Sequence, residues 1–364
     1  IFNRIDFEGN PIPYDPLCDD ADPSNDPEKC PGNQWFYGNW REISKIRWLQ
    51  QAWWRYLQAR WGYSTHIHSW ELLNEGDPFS TSHYVLADEF GKYMHQFKPD
   101  HHLVTTSFWH SFPRDSFWAN PDYPDVDYAD VHLYIGESEP TFLDTAQATY
   151  TTSMQYGAYR PGGAGKPVMR GETGFVVSGS EPASSLFDDD SDGIWLHNFV
   201  WGGINPGGML ESYWYEEEHI YQQYPSGIYR FDLRPIFHTF YNFIRDLPLN
   251  NGHYLDAAAQ TSIGDLRAWG QKDLANGRAH LWIQNTHHTW VNVINHVPIP
   301  PISGWVSISG FHPGEEYTVQ WWDPYQPNPA GQIISTEIVV AQPDGSLVLH
   351  VSGLTSDVGV KVLP

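Results

Sequence analysis

A short apolar run, Ile67 to Leu73, stops on two polar residues, Asn74 and Glu75, and Gly76-Asp77-Pro78 follows at once. Glycine and proline forbid the strand from continuing. A carboxylate and an amide delivered to the end of a buried strand are costly to place there without partners. In a barrel of parallel strands, that end is where active sites sit. The stretch therefore ties a fold class to a chemistry before anything else is read.

The surrounding chain alternates in the same way. Ile43, Ile46, Leu49, Trp53, Tyr56 and Leu57 recur at helical spacing and predict an amphipathic helix ending near Gly62. A second helix is predicted from Ser82 to Phe97, and a strand from Leu103 to Phe108 with Trp109 and His110 at its end. Asp130 to Ile135 reads as a strand, residues 141–156 as helix, and Pro167 to Glu172 as a strand ending in a second carboxylate. Ile194 to Ile204 reads as helix, Gly208 to Tyr215 as a strand ending in Trp214 and Tyr215, and Pro235 to Arg245 as a last helix. Strand and helix in alternation give α/β architecture with a parallel sheet or barrel. A full (β/α)8 TIM barrel takes about 250 residues. Residues 1–248 hold only five such units because the loops are long, so they are expected to supply roughly strands 4 to 8. A companion chain or an N-terminal segment is expected to complete the barrel, since an open half-barrel exposes its edges.

After Pro248 the texture changes. Short segments at Leu266–Trp269, Ala279–Gln284, Val291–Ile294, Tyr317–Trp321, Ile333–Val340, Leu347–His350 and Val358–Leu363 are separated by Asn276-Gly277, Pro313-Gly314 and Asp344-Gly345. Residues 249–364 thus read as an all-β sandwich domain.

Composition excludes some partners. The formal charge is -24, from 44 acidic and 20 basic side chains, which argues against a nucleic acid, whose phosphates need a basic face. No stretch approaches the roughly 20 apolar residues of a membrane helix. Aromatic residues make up 16%, with 18 Trp and 21 Tyr. These rings serve a core, or a surface that stacks on sugars, and composition does not separate the two uses. Cys18 and Cys30, twelve positions apart in a loop rich in turn residues, either close a disulfide or stay as free thiols. A disulfide implies an oxidising compartment, hence a secreted or cell-surface protein. Neither has metal-ligand neighbours, and no metal or cofactor is expected. Asp188-Asp-Asp-Ser-Asp-Gly193 begins like a calcium loop but has Phe199 at the twelfth position, where an acid is required. A capped helix start before Ile194 is the preferred reading.

Two carboxyl groups at strand ends on one barrel mouth, Glu75 and Glu172, are the minimum kit for glycoside hydrolysis. Trp70-Glu-Leu-Leu-Asn-Glu75 resembles the strand-4 signature of the clan A retaining glycoside hydrolases, closest to the family 5 cellulases and mannanases. Val131-His-Leu-Tyr134 is similar to that clan's strand-6 His-x-Tyr, Lys166 to Gly174 to its strand 7, and Met209 to Trp214 to its strand 8. The resemblance implies Glu75 as acid/base and Glu172 as nucleophile in a double displacement on a β-glycosidic bond. It implies Asn74 and Tyr134 as supports, and His132 and Trp214 as substrate contacts. Trp109 is a further candidate lining the cleft. The expected partner is a carbohydrate substrate. The rival is a non-catalytic carbohydrate-binding protein on a degenerate barrel.

Overall fold

The computed structural model describes residues 44–75, 82–97, 102–108, 112–156, 166–177, 187–205, 211–223, 225–227 and 229–364. Cys18, Cys30, Trp109 and the turn after Glu75 lie outside the described residues. The chain divides into two compact units, Ile1–His132 with Gly165–Pro167, and Leu133–Ala164 with Val168–Pro364. The change of texture near residue 248 falls inside the second unit, where it separates two kinds of sheet.

In the first unit, α1 (Ser44–Trp61) leads to β1 (Ser69–Glu71), α2 (Ser82–Met94) and β2 (Leu103–Thr105). Helical spacing puts Trp54 and Gln58 on one buried stripe of α1. Trp54 packs on Phe90 and Tyr93 of α2, at 5.0 and 5.5 Å between ring centroids. Leu86, Phe90 and Met94 are buried on α2, each worth about 1.5–3 kcal/mol by removal from water. Gly91 allows this helix to lie against the Asp125 carbonyl, which a Cβ would meet at 1.9 Å. Strands β1 and β2 pair in parallel, Ser69 opposite Leu103. Strand β3 (Ala129–Gly136) is longer than the expected run and begins in this unit.

The second unit continues with α3 (Pro140–Leu143), α4 (Thr145–Tyr156), β4 (Val168–Val176), α5 (Ile194–Gly202), β5 (Glu211–Tyr213), α6 (Glu216–His219), the hairpin β6 (Tyr221–Gln223) and β7 (Tyr229–Asp232), and α7 (Pro235–Ile244). Strands β3, β4 and β5 form one sheet in that order, with β4 and β5 parallel. Helix α5 covers β4. Trp195 and Phe199 meet Phe175 at 5.7 and 5.4 Å, and every residue of the helix is buried. Its start is held by Asp190, whose Oδ2 accepts the Trp195 backbone N–H at 2.8 Å. The N-cap itself is Gly193, left-handed and without a side-chain cap bond, so the acidic run holds the helix start through Asp190 rather than through the residue before Ile194.

Residues 255–363 build two antiparallel sheets. One has the order β14 (Ile333–Val340), β13 (Glu316–Trp322), β16 (Asp357–Leu363), β11 (Arg278–Asn285), β10 (Leu266–Asp273), β8 (Leu255–Asp256). The other has β15 (Leu347–Leu354), β12 (Ile302–Ile308) and β9 (Gln260–Thr261). Their inner residues form one apolar cluster, among them Leu281, Val319 and Val360 from the first sheet and Val306, Leu347 and Leu349 from the second. Two expectations fail here. Val291–Ile294 is not a strand but part of α8 (Trp290–Ile294), because the Thr289 hydroxyl accepts the Asn292 N–H and buried Trp290 donates its indole N–H to the Phe142 carbonyl. Strand β12 lies outside the expected segments, because Gly304 and the prolines before it mask its alternation.

The parallel and antiparallel parts of this unit share a second cluster, in which Trp195, Trp201 and Phe243 meet Trp282, Trp290 and Trp322. At its heart the buried Asp357 carboxylate accepts from His197 Nε2 at 2.8 Å, Trp282 Nε1 at 2.6 Å and Tyr325 OH at 2.6 Å. Burial alone would push this carboxyl up. The charge on His197 and the three donors outweigh it and hold the carboxyl below its ordinary range. Its contribution is therefore present above the unfolded carboxylate's range and lost as pH falls through the folded value. Asp357→Ala is expected to cost about 3–5 kcal/mol in urea unfolding, since it leaves His197 buried without its counter-charge. Burial also pushes His219 down to about 4 and His280 to about 3. Both stay neutral in the folded chain where the unfolded chain takes up protons, so stability should fall as pH drops below about 6.5. His280→Leu should flatten that fall by up to about 1.4 kcal/mol per pH unit, measured by urea unfolding at a series of pH values.

Candidate active site

The first unit presents Glu75. Beyond β1 the chain stays beside β2, through Leu72 N–H to the Thr105 carbonyl at 3.0 Å and Ser107 N–H to the Leu73 carbonyl at 3.2 Å. Glu75 then turns into the left-handed region, with φ of 53°. That conformation is costly for a residue with a Cβ and persists only when its surroundings hold it. Ser107 is one such hold. It is fully buried, its Oγ accepts the Glu75 backbone N–H at 2.9 Å, and its hydroxyl donates to Glu71 Oε1. The buried His132 ring, from β3, brings Nδ1 to 2.9 Å from Glu75 Oε1 and Nε2 to 3.7 Å from Asp130 Oδ1. Asn74 is half-buried beside Glu75.

Glu71, Asp130 and His132 offer ligand atoms within 4.8 Å of one another, a spacing that would suit a divalent ion. Each already serves a contact inside the protein, Glu71 with Ser107 and His132 with both Glu75 and Asp130. The cluster reads as a hydrogen-bonded support for Glu75.

The second unit presents Glu172. It does not end a strand, as its sequence neighbourhood predicts, because β4 continues to Val176. Between Arg170 and Thr173 the pairing with β5 shifts, Arg170 facing Glu211 and Thr173 facing Tyr213. Three steps on β4 thus match two on β5, a β-bulge that re-aims the residues within it, Glu172 among them. Glu172 Oε2 accepts the Tyr134 hydroxyl at 2.7 Å. Arg170, two positions earlier, is spent on structure. Its guanidinium is buried, donates to the Thr149 carbonyl and Ser153 Oγ at 3.1 and 3.2 Å, and stacks over Phe199.

After β5, Trp214 N–H bonds the Thr173 carbonyl at 2.7 Å, and its side chain is 50% exposed. Its face is thus available to a ligand rather than buried in the core. Tyr215 follows with φ of 66° and a half-buried ring, 6.0 Å from Tyr134 between centroids.

Within their own units, His132, expected as a substrate contact, is hydrogen-bonded to Glu75, and Tyr134, expected as a support, is hydrogen-bonded to Glu172. Sequence reasoning missed Glu71, Ser107, Asp130 and Tyr215. Asp130 had a signal, because Asp130, His132 and Tyr134 are alternate polar residues of an otherwise apolar strand. Ser107 had none, since a serine at a strand end is ordinary.

No protein-family model matches the chain, and no curated protein matches it. Among solved structures, the chain is similar to the GH39 enzyme from Xanthomonas axonopodis pv. citri, with TM-score 0.34 and 14% identity over 88% of this chain and 73% of that one. It is similar to CelM2, a bifunctional glucanase-xylanase protein from a metagenome library, with TM-score 0.39 and 12% identity over 86% and 68%. It is similar also to a beta-porphyranase of glycoside hydrolase family 86 from Bacteroides plebeius, with TM-score 0.32 and 12% identity over 78% and 53%. Likeness of this degree carries no argument for activity, which rests on the chain's own residues.

Ser107→Ala removes the acceptor for the strained Glu75 N–H and the donor to Glu71. It is expected to lower stability by about 1–3 kcal/mol, read as a lower urea midpoint at unchanged slope.

Proposed function

We propose that this chain is a retaining glycoside hydrolase cleaving a β-glycosidic bond in an oligo- or polysaccharide. One observation carries the reading: a single strand, β3, supplies a ring partner to each candidate carboxyl, His132 to Glu75 and Tyr134 to Glu172. The two glutamates are proposed to act as one catalytic pair. In this reading β1 to β5 are the last five strands of a TIM barrel, and the antiparallel sheets form the β-sandwich that follows it.

The proposed chemistry is double displacement. Glu75, held at Oε1 by His132, gives its proton to the leaving oxygen. Glu172, oriented through Oε2 by Tyr134, attacks the anomeric carbon. The departing bond's electrons go to the protonated oxygen, and a covalent glycosyl-enzyme forms. Glu75 then takes a proton from water, which displaces Glu172 from the same carbon with net retention. Asn74, beside Glu75, is proposed to bind a sugar hydroxyl, and the exposed Trp214 ring to stack on a pyranose face. Secretion or display at the cell surface goes with a polymeric glycan as substrate.

Glu172→Gln and Glu75→Gln should each cut turnover of an aryl β-glycoside by about 10³-fold or more with circular dichroism unchanged. The first sugar released by the wild type should keep the β configuration by NMR. Wild-type rates in either variant refute the assignment. Binding of glycans without cleavage by the unmutated chain favours a carbohydrate-binding protein instead.

A further inference from the structure

The turn after β5 is held from several sides at once. Trp214 N–H is fixed to Thr173, while the Tyr215 carbonyl accepts backbone N–H groups from Glu218 and His219 at 3.2 and 3.0 Å. Tyr213 OH and His219 Nδ1 share a bond of 2.6 Å across the turn, and the His219 ring is buried. These contacts over-determine the backbone and keep Tyr215 left-handed, a conformation a tyrosine rarely adopts unaided. The result is that the Tyr215 ring lies over Gly174, two residues past Glu172 on β4. A Cβ at Gly174 would meet Tyr215 Cδ2 at 3.0 Å and Tyr134 Cδ1 at 3.3 Å. Glycine there lets the two rings close against the strand that carries Glu172. Tyr134, the ring so packed, is the donor to Glu172.

We propose that Tyr215 is a positioning residue for the reaction, its ring packing Tyr134 across Gly174 so that the Tyr134 hydroxyl holds Glu172 in its attacking orientation. The charge environment is consistent with this placement: burial, then Glu218 and Glu172, push the Tyr215 phenol up, so it stays protonated beside both carboxylates. The proposal assigns the packing role to the ring, because ring carbons of Tyr215 and Tyr134 are what a Cβ at Gly174 would meet. The inference rests on the role proposed for Glu172.

Three variants of the full chain separate the possibilities. Tyr215→Asn deletes the ring but keeps a residue that tolerates the left-handed backbone. Tyr215→Phe keeps the ring and deletes the oxygen. Gly174→Ala pries the rings apart without removing any polar group. Crystal structures should show the Tyr134–Glu172 separation beyond about 3.5 Å in Tyr215→Asn and Gly174→Ala, and unchanged in Tyr215→Phe. On an aryl β-glycoside, kcat should drop about tenfold or more in the first two with KM within about threefold, and Tyr215→Phe should restore it. An intact Tyr134–Glu172 bond in Tyr215→Asn overturns the proposal, and so does a Tyr215→Phe variant as impaired as Tyr215→Asn. If the wild type cleaves no glycoside, the reaction fails as a reading, and the crystallographic comparison still decides whether Tyr215 positions Tyr134.

Discussion

A carboxylate with no exposure to water anchors the second unit. Asp357 opens β16, His197 sits in α5, Trp282 in β11 and Tyr325 in the loop after β13, and all three donors end on that one side chain. Taking the charge out of water is expensive, and only paired, hydrogen-bonded geometry offsets it. What the arrangement gains is a defined distance between helix and sheet, because few other placements satisfy three directional bonds. The stacked rings of His197 and Tyr325, 4.1 Å apart and nearly parallel, restrict it further. Helix α5 is thus fixed on one side by the antiparallel sheet and on the other by Phe175 of β4. A bulge on a strand held this way can keep Glu172 aimed without drifting.

Strain in the strand-and-helix part of the chain is concentrated rather than spread. Among the described residues, the non-glycine positions with positive φ are Glu75, Tyr215, Ala258 and His296. Two of the four follow a parallel strand within a few residues: Glu75, itself a candidate carboxyl, after β1, and Tyr215, packed near the partner of Glu172, after β5. A left-handed residue reverses the side-chain direction that strand alternation would impose. It is a cheap way to turn one group toward a pocket while the backbone on either side stays paired. The hydrogen bonds of Ser107 to Glu75, and of the Glu218 and His219 N–H groups to Tyr215, supply what each strained residue costs.

Legibility in the sequence followed the range of the forces involved. Helices α1, α2, α5 and α7 were visible because a 3.6-residue period is local, and their observed limits differ from the expected ones by a few residues at most. The strands of the parallel pairs β1–β2 and β4–β5 were visible as apolar runs set between helical stretches. The bulge at Glu172 was not, since register is set by β5, some forty residues further on. Nor was Ser107, which matters only because tertiary pairing lays it beside Glu75. The four residues Val291–Ile294 mislead for the opposite reason. Their β-branched side chains favour a strand, but one capping hydroxyl and one buried indole decide for a helix.

The surplus of aromatic residues resolves along the same lines. Trp118, Trp195, Trp201, Trp282 and Trp290 are buried, and the second unit uses most of them to join its two kinds of sheet. They are core, and a sugar cannot reach them. Trp48, Trp61, Trp214 and Trp305 are the exposed exceptions among the described residues. Of these only Trp214 stands at the end of a parallel strand, bonded through its backbone to the residue after Glu172. Leaving a large apolar ring in water there forgoes burial worth about 1.5–3 kcal/mol. Nearby, Phe187 and Trp195 are buried against one another and half-buried Tyr213 packs on Trp195, yet this ring is turned out. That exposure agrees with the pyranose-stacking role proposed for this ring.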